Sequence, residues 1–508
     1  MEAIHLNDEE QKLFSLLKSV VREMDLSTEL RCAGGWVRDK LLGRESNDID
    51  IAIDNMMGEE FANKLNEYLV SRGEEKTNVA VIHSNPDQSK HLETAKVKYQ
   101  GLEIDFVNLR SESYASSSRI PEIQFGTAEE DAMRRDFTIN ALFYNIGHGN
   151  VEDLTKRGLE DLRSELIRTP LPARQTFMDD PLRVMRAIRF ASRLGFDLDA
   201  DIMAAASSAE VKEALMTKVS RERISTEFEA TLEGPNPRLA LQLIRSFGLL
   251  DVVLNIPEGI QQGLPAGYAE PCIESALFMA DILRAGNSGG DKSQAKLGIV
   301  SALLLPLRDF TAQEGKKKRE VNLPEHIVGL SLKKKKDAAA VGALQRAAAD
   351  IVSVSRGIVS EAGDSSPIAE EDKIKLGLAI RSTKEHWRMA GLLSYLFKCP
   401  FGRSLNREDE NGIDGEGSPS SSASAEDLVD KCLAHVSKVE DAAVSLKLDR
   451  AWEIRPLING KDMMKLLNAK GPIIGKAVTE MTKWQLAHPE GTAEECKSFL
   501  VNQCQQEA

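Results

Sequence analysis

At 508 residues the chain has the length of about three ordinary domains, and its 42% hydrophobic content speaks against wholesale disorder. The formal charge of −14 argues against a protein that coats nucleic acid, although a local basic groove remains compatible with it because net charge does not locate the charges. Six cysteines (Cys32, Cys272, Cys399, Cys432, Cys496, Cys504) form no CxxC pair; this disfavours a disulfide framework or structural zinc and fits reduced thiols inside a cell.

Residues 6–24 carry helical periodicity after Asn7 or Asp8 as a cap. The start, "MEAIHLNDEE", is acidic and unlike an Arg-rich transit peptide; an alternative upstream start could add one. "ELRCAGGWVRDKLLG" predicts a strand, a glycine turn and a helix beginning near Trp36. "NDIDIAI" alternates with period two and predicts a strand. "AKVKY" and "LEIDFVNL" predict a hairpin turning at "QG". "INALFYNI" and "NVEDL" would complete a small mixed sheet, with strands dominating to about Leu154.

Helical patterns then take over. "DPLRVMRAIRFASRLGF" is one helix, and "SRERISTEFEATLEG" another, with Ser220 as cap and Gly234 as stop. From Pro237 onward nearly every long segment has helical periodicity, so the C-terminal half is expected to be all-α. The longest apolar run, residues 297–307, is too short to span a bilayer, which needs about 20 residues; no membrane association is expected. Two lysine runs, at 316–319 and 333–336, read as solvated loops, with phosphate contacts or nuclear import signals as alternatives. Residues 408–426 are rich in Gly, Ser, Asp and Glu and predict a disordered insertion.

The chemistry begins with "GGWVRDKLLGRESNDID". On a strand, Asp48 and Asp50 point to the same face, and two carboxylates so placed repel each other unless a cation lies between them. Few, hard oxygen ligands suit Mg²⁺, which takes its remaining ligands from water and substrate phosphates. Gly34 and Gly35 would let a triphosphate approach the backbone at a helix start, and Arg38 would add charge-assisted bonds to it. Either feature alone could be a tight turn or a decorated solvent face; their combination favours phosphate and metal. Asp105 shares a strand face with Glu103 and is a possible third catalytic carboxylate, with a solvated strand face equally open.

"RRDFTINAL" places Arg134, Arg135 and Asp136 before an apolar strand, either as ribose and phosphate contacts or as a surface ion pair. In "DDPLRVMRAIR" a helix would make Asp180 and Arg183 i, i+3 neighbours, with Arg186 and Arg189 continuing the stripe. A plain intrahelical salt bridge is one reading. The sharper one is base recognition without a template: Asp accepts from an exocyclic amine while Arg donates to the adjacent ring nitrogen. Cytosine and adenine offer that order; uracil and guanine reverse it, which leaves polar groups unpaired.

Together these stretches resemble the class II CCA-adding tRNA nucleotidyltransferases, of the polymerase-β-like superfamily. The opening stretch is similar to that family's GGxVRD…LLG…DxD element, "RRDFTINALFYNI" to its RRD motif, and "DDPLRVMRAIRFASRLGF" to its (E/D)DxxR helix, with Asp179 where many relatives carry Glu. "VEDLTKRGLEDL" and "SRERISTEFEATLEGPNP" resemble the connector and neck, and "IDFVNLR" and "RIPEIQFGTAEEDAMRRD" point to the eukaryotic branch. The resemblance covers about half the chain, with weaker support from "LINGKDMMKLLNAKGPIIG" and "WQLAHPEGTAEE".

The resemblance implies an α+β architecture: a mixed head (1–154), a helical neck (155–250), and a helical body and tail (251–508). It implies stepwise addition of C, C and A to tRNA from CTP and ATP, with the body and tail holding the acceptor and T-arm. Asp48 and Asp50 are the implied Mg²⁺ ligands; Gly35, Arg38, Arg135, Arg186 and Arg189 the triphosphate or ribose contacts; Asp180 and Arg183 the base readers. No obligate protein partner is implied, and the expected location is cytoplasmic, with a nuclear form and, through an alternative start, a mitochondrial form also open. Relatives that add only CC or only A, a poly(A) polymerase with the same head, and a non-catalytic RNA-binding protein are the competing readings.

Overall fold

The computed structural model describes residues 4–82, 94–113, 122–286, 291–314, 319–358, 368–403, 405 and 424–506. Lysines 316–318 and most of the insertion expected at 408–426 lie outside them. The chain forms two compact units. One comprises Met1–Asn236 with Ser246–Val252; the other comprises Pro237–Arg245 with Val253–Ala508.

The first unit opens with α1 (Asp8–Glu23), whose Asn7 cap and Glu10 form a reciprocal capping box. There follow β1 (Leu30–Ala33), α2 (Gly35–Leu41), β2 (Asp48–Ile53), α3 (Gly58–Ser71), β3 (Val79–Ile82), β4 (Thr94–Tyr99) and β5 (Leu102–Asn108). A separate hairpin, β6 (Arg110–Ser113) with β7 (Glu122–Phe125), leads to α4 (Ala128–Met133), and β8 (Phe143–Asn145) and β9 (Asn150–Glu152) finish the sheet. Its order is β3-β4-β5-β2-β1-β8-β9, antiparallel except for the parallel β2–β5 pair. The expected β4–β5 hairpin turns on Gln100 and Gly101, both at positive φ (48° and 91°), as a two-residue turn requires.

Period-two alternation decides which side of β2 is core. Ile49, Ile51 and Ile53 are fully buried, as are Ile104 and Phe106 of β5. Phe61 of α3 packs its ring 5.2 Å from Phe106. Asp48, Asp50, Glu103 and Asp105 therefore occupy the opposite face.

Two local expectations need correction. "INALFYNI" is not one strand: Thr138–Asn140 is a 3-10 turn and pairing begins only at Phe143. The helix expected across "DDPLRVMRAIR" is broken. After α5 (Gly158–Arg163) come α6 (Ala173–Asp179) and α7 (Arg183–Leu194), with Asp180 between them in extended backbone (φ −133°, ψ 99°). Pro181 is the cause, because its ring disfavours helical backbone in the residue before it. Next come α8 (Ala200–Ser207), α9 (Ala209–Lys218) and α10 (Arg221–Leu232); Ser220 is the N-cap residue of α10, and Gly234 follows its C-cap.

The second unit is mainly helical. Helix Lys335–Ile358, which begins inside the second lysine run, packs on Glu370–Thr383 and Trp387–Leu396. A terminal cluster gathers Ile458, Met463, Met481, Trp484, Cys496 and Leu500. It is not purely α: Thr311–Glu314 and Arg319–Asn322 pair as an antiparallel hairpin around the first lysine run. Cys32, Cys272, Cys399, Cys432 and Cys496 are buried, unpaired thiols. Among the described residues no helix is long and apolar enough to cross a membrane.

Candidate active site

Backbone register assembles the acidic cluster. In the parallel β2–β5 pair Asp50 stands opposite Asp105 and Asp48 opposite Glu103. Oxygens of Asp48, Asp50 and Asp105 all lie within 4.8 Å of one another. Burial, and then the Asp48 charge, push the Asp50 carboxyl up to about 6, against the pull of Arg135 and Lys96. Burial and a neighbouring like charge both disfavour the ionised carboxylate. Three converging hard oxygens fit a divalent metal ion. Asp105 has a competing partner: Lys96, its cross-strand neighbour on β4, places Nζ 2.9 and 2.6 Å from the two carboxylate oxygens.

The glycine pair divides into two roles. Gly34 has φ +66°, and a Cβ there would lie 2.8 Å from Arg135 Nη1 and 3.2 Å from the Asn140 carbonyl. The protein itself needs that glycine. A Cβ on Gly35 would meet only Arg38 Nη2, at 3.8 Å, so Gly35 leaves open room at the start of α2. Arg38 turns inward: it is buried, donates from Nε to Asp39 Oδ1 at 2.8 Å and from Nη1 to Asn140 Oδ1 at 2.5 Å, and lies 5.1 Å from the centre of the Phe190 ring. In this conformation it braces the site rather than facing into it.

Beside this lies a cavity of about 530 Å³ whose wall carries six arginines (Arg110, Arg134, Arg135, Arg183, Arg186, Arg223) against four carboxylates (Asp136, Asp180, Glu222, Glu227). The positive excess suits a polyanion. The RRD segment and α7 are stitched together across it. Arg186 donates to Asp136 Oδ2 from Nε at 2.8 Å and contacts it through Nη2 at 2.7 Å. The other Asp136 oxygen accepts from the Phe137 amide and Asn140 Nδ2. Burial works to raise the Asp136 carboxyl, but Arg186 wins and holds it below the usual carboxylate range. Arg183 Nη2 donates to the Arg134 carbonyl at 2.6 Å and Nη1 to the Thr176 carbonyl at 3.3 Å.

The i, i+3 salt bridge between Asp180 and Arg183 is not formed. Asp180 Oδ1 accepts the Leu182 amide at 3.2 Å, an Asx-type bond two residues on, just ahead of α7, and Oδ2 lies 3.4 Å from Arg223 Nη2. Arg189 stands apart from the cavity wall, with Nε on Glu227 Oε2 at 2.7 Å. Arg135 joins the two halves of the site. It lines the cavity, is anchored through Nε and Nη2 to Asp131 Oδ2 at 3.0 and 2.8 Å, and its charge acts on Asp50.

Sequence reasoning missed Arg110, Glu222, Arg223, Thr226, Glu227 and Lys96. For α10 a signal existed. Glu222 and Thr226, and likewise Arg223 and Glu227, are one helical turn apart in "RERISTE" and share a face.

A sheet with register-paired aspartates beside an arginine-lined cavity defines a nucleotidyltransferase. The family model described as Poly A polymerase head domain matches residues 30–168, and the one described as Probable RNA and SrmB- binding site of polymerase A matches residues 195–260. Over 504 residues the chain is 39% identical to the CCA tRNA nucleotidyltransferase, mitochondrial, of Saccharomyces cerevisiae, covering 93% of this chain and 87% of that one. It is 36% identical over 548 residues to the protein of the same name from Candida glabrata, covering 98% and 96%. The chain belongs to the CCA tRNA nucleotidyltransferase family. The crystal structure of Bacillus stearothermophilus CCA-adding enzyme in complex with CTP shares the fold, with a TM-score of 0.60 at 21% identity and coverage of 99% of both chains.

Proposed function

We propose that the protein adds C, C and A, without a nucleic-acid template, to the 3′ end of tRNA from CTP and ATP, releasing pyrophosphate. The supporting observation is the convergence of four sequence-distant segments on one arginine-lined cavity, tied through Arg135 to the aspartate cluster. The tRNA 3′-hydroxyl would attack the α-phosphorus in line, so the protein's task is positioning and charge stabilisation. Asp48 and Asp50 are the proposed ligands of Mg²⁺, with Asp105 a third carboxylate within reach. When bound, Mg²⁺ supplies activation of the nucleophile and charge stabilisation of the leaving pyrophosphate.

The chain's own groups do the rest. Arg134 and Arg135 face the triphosphate, and Gly35 leaves room for it beside the backbone. Arg186, locked on Asp136, holds the ribose side of the cavity. Arg189 supports the cavity from behind through Glu227, which lines it, and Arg38 braces the Gly35–Asn140 corner. Asp180 and Arg183 read the base: a cytosine or adenine amine takes Asp180 in place of Arg223, and Arg183 turns from its backbone acceptors to the ring nitrogen. Functionally, residues 1–154 act as head, 155–250 as neck carrying the base readers, and 251–508 as body and tail for the acceptor and T-arm of tRNA. A mitochondrial form accords with the names of the fungal relatives, alongside a cytoplasmic and nuclear one.

The test supplies purified protein and Mg²⁺ with tRNAs ending before CCA, after the first C and after the second C, each with CTP, ATP or both. Completion of all three ends to CCA is expected. Extension of only one class of end would instead identify a CC-adding or A-adding enzyme, long A tails a poly(A) polymerase, and no extension a binding protein.

A further inference from the structure

One guanidinium on the cavity wall is left partly unsatisfied by the described residues. Arg110 opens β6, two residues after the end of the strand that carries Asp105, and lines the cavity. Its Nε lies 2.6 Å from Glu112 Oε1, yet neither Nε nor Nη1, both buried, has a hydrogen-bond partner among the described residues. Buried donors are seldom left so, because each forfeits its hydration without replacement.

The surrounding carboxylates are already committed. Glu112 Oε1 accepts Arg134 Nη1 at 3.0 Å. Asp131 gives Oδ1 to Arg134 Nε at 2.9 Å and Oδ2 to Arg135 Nη2 at 2.8 Å. Two carboxylates thus serve three guanidiniums, and one positive charge is left over. Burial first, and then the Arg134 charge, bring Arg110 down to about 10. It stays charged at neutral pH, at a cost that an entering anion relieves.

We infer that Arg110 is a phosphate-binding residue, completing with Arg134 and Arg135 a three-guanidinium socket on the cavity wall. This rests on the reading that the cavity takes the incoming nucleotide. The fork can turn onto a phosphate because it gives up only the poorly aligned Glu112 contact. A planar, bidentate donor set matches phosphate oxygens. The phosphate belongs either to the nucleoside triphosphate or to the backbone at the RNA 3′ end, and the two sources separate experimentally.

The full-length chain is compared with Arg110→Met, which keeps the bulk of the stem without donors or charge, and with Arg110→Lys. Melting is followed without ligand; CTP and ATP affinity are measured without RNA, and the affinity of tRNA lacking CCA without nucleotide. Arg110→Met is expected to melt no lower than the parent and to bind the phosphate-bearing ligand roughly 10–100-fold more weakly. Arg110→Lys falls between, because it keeps the charge and loses the fork, and it carries the test alone if the Met variant does not fold. A loss confined to CTP and ATP assigns the nucleotide's phosphate, and one confined to tRNA the backbone phosphate. Unchanged affinity for both, above all with a lowered melting point, makes Arg110 merely structural and overturns the inference. Asp180→Ala is the control for the underlying reading. If it loses base preference while Arg110→Met binds both ligands normally, only the present inference fails. If it keeps base preference while Arg110→Met binds CTP weakly, base reading fails and the phosphate site stands.

Discussion

Asp48, Asp50 and Asp105 sit on adjacent strands and are placed by hydrogen-bond register alone, whereas the six cavity arginines come from four separate stretches, and Arg134, Arg135 and Arg186 among them are held by nearby carboxylates. The sheet can afford three mutually repelling acids because the isoleucines on its other face fix the backbone. The cavity has no such scaffold: Asp136 fixes Arg186, Glu227 fixes Arg189, and Arg183 fixes the Arg134 backbone. Substitutions in the two regions should therefore differ in kind. In the sheet they change chemistry locally; in the cavity they propagate.

The largest effect tests the local side of that contrast. Asp48→Ala should lower kcat on the order of 10³-fold, corresponding to several kcal/mol of lost transition-state stabilisation, while circular dichroism and the melting point without metal stay near the parent's. A collapsed fold in this variant would mean the aspartates are structural.

The next effect concerns stored repulsion and its sign. Asp50 has its carboxyl raised from 3.8 to about 6, so the folded chain holds this proton more tightly than the unfolded one. Its contribution is most favourable below pH 3.8 and is lost as pH rises to about 6. Above that the penalty is constant, with an upper bound of about 3 kcal/mol. Asp50→Asn should consequently melt higher than the parent at pH 7–8 without metal and converge with it near pH 4. Mg²⁺ should raise the parent's melting point and leave the variant's almost unmoved. A variant that melts lower than the parent at pH 8 would contradict this.

The smallest effects separate the two glycines. Gly34→Ala meets a positive-φ backbone (φ 66°, ψ −116°) and Arg135, and should cost about 1–3 kcal/mol of stability. Gly35→Ala should leave stability unchanged or raise it by less than ~1 kcal/mol, yet weaken nucleotide binding several-fold. Equal loss of stability in both would remove the case that Gly35 leaves room for substrate.

The same contrast explains what could be read in the sequence. Asp-x-Asp on a β-branched strand places two carboxylates with no tertiary information, and the "QG" turn brings Asp105 alongside once β5 pairs with β2. The segments of the cavity were likewise recognisable, but not their wiring. Asp180 was expected on a helix with Arg183, although Pro181 directly after it already argued for the break that the structure contains. That Arg183 would reach the Arg134 carbonyl, and Arg223 reach Asp180, depends on how α7 and α10 pack. Arg110 was hidden for the same reason, since nothing in "NLR" reveals that the nearby carboxylates are spent on other arginines.

The central claim is that side chains of this cavity, not a nucleic-acid template, choose the base. It is tested most directly by giving tRNA lacking CCA an equimolar mixture of the four nucleoside triphosphates and sequencing the new 3′ ends. The parent should finish with CCA, whereas Asp180→Ala should admit U and G with discrimination lowered roughly 10–100-fold. Ends that remain pure CCA in the Asp180→Ala variant, or that are mixed in the parent, would contradict the account.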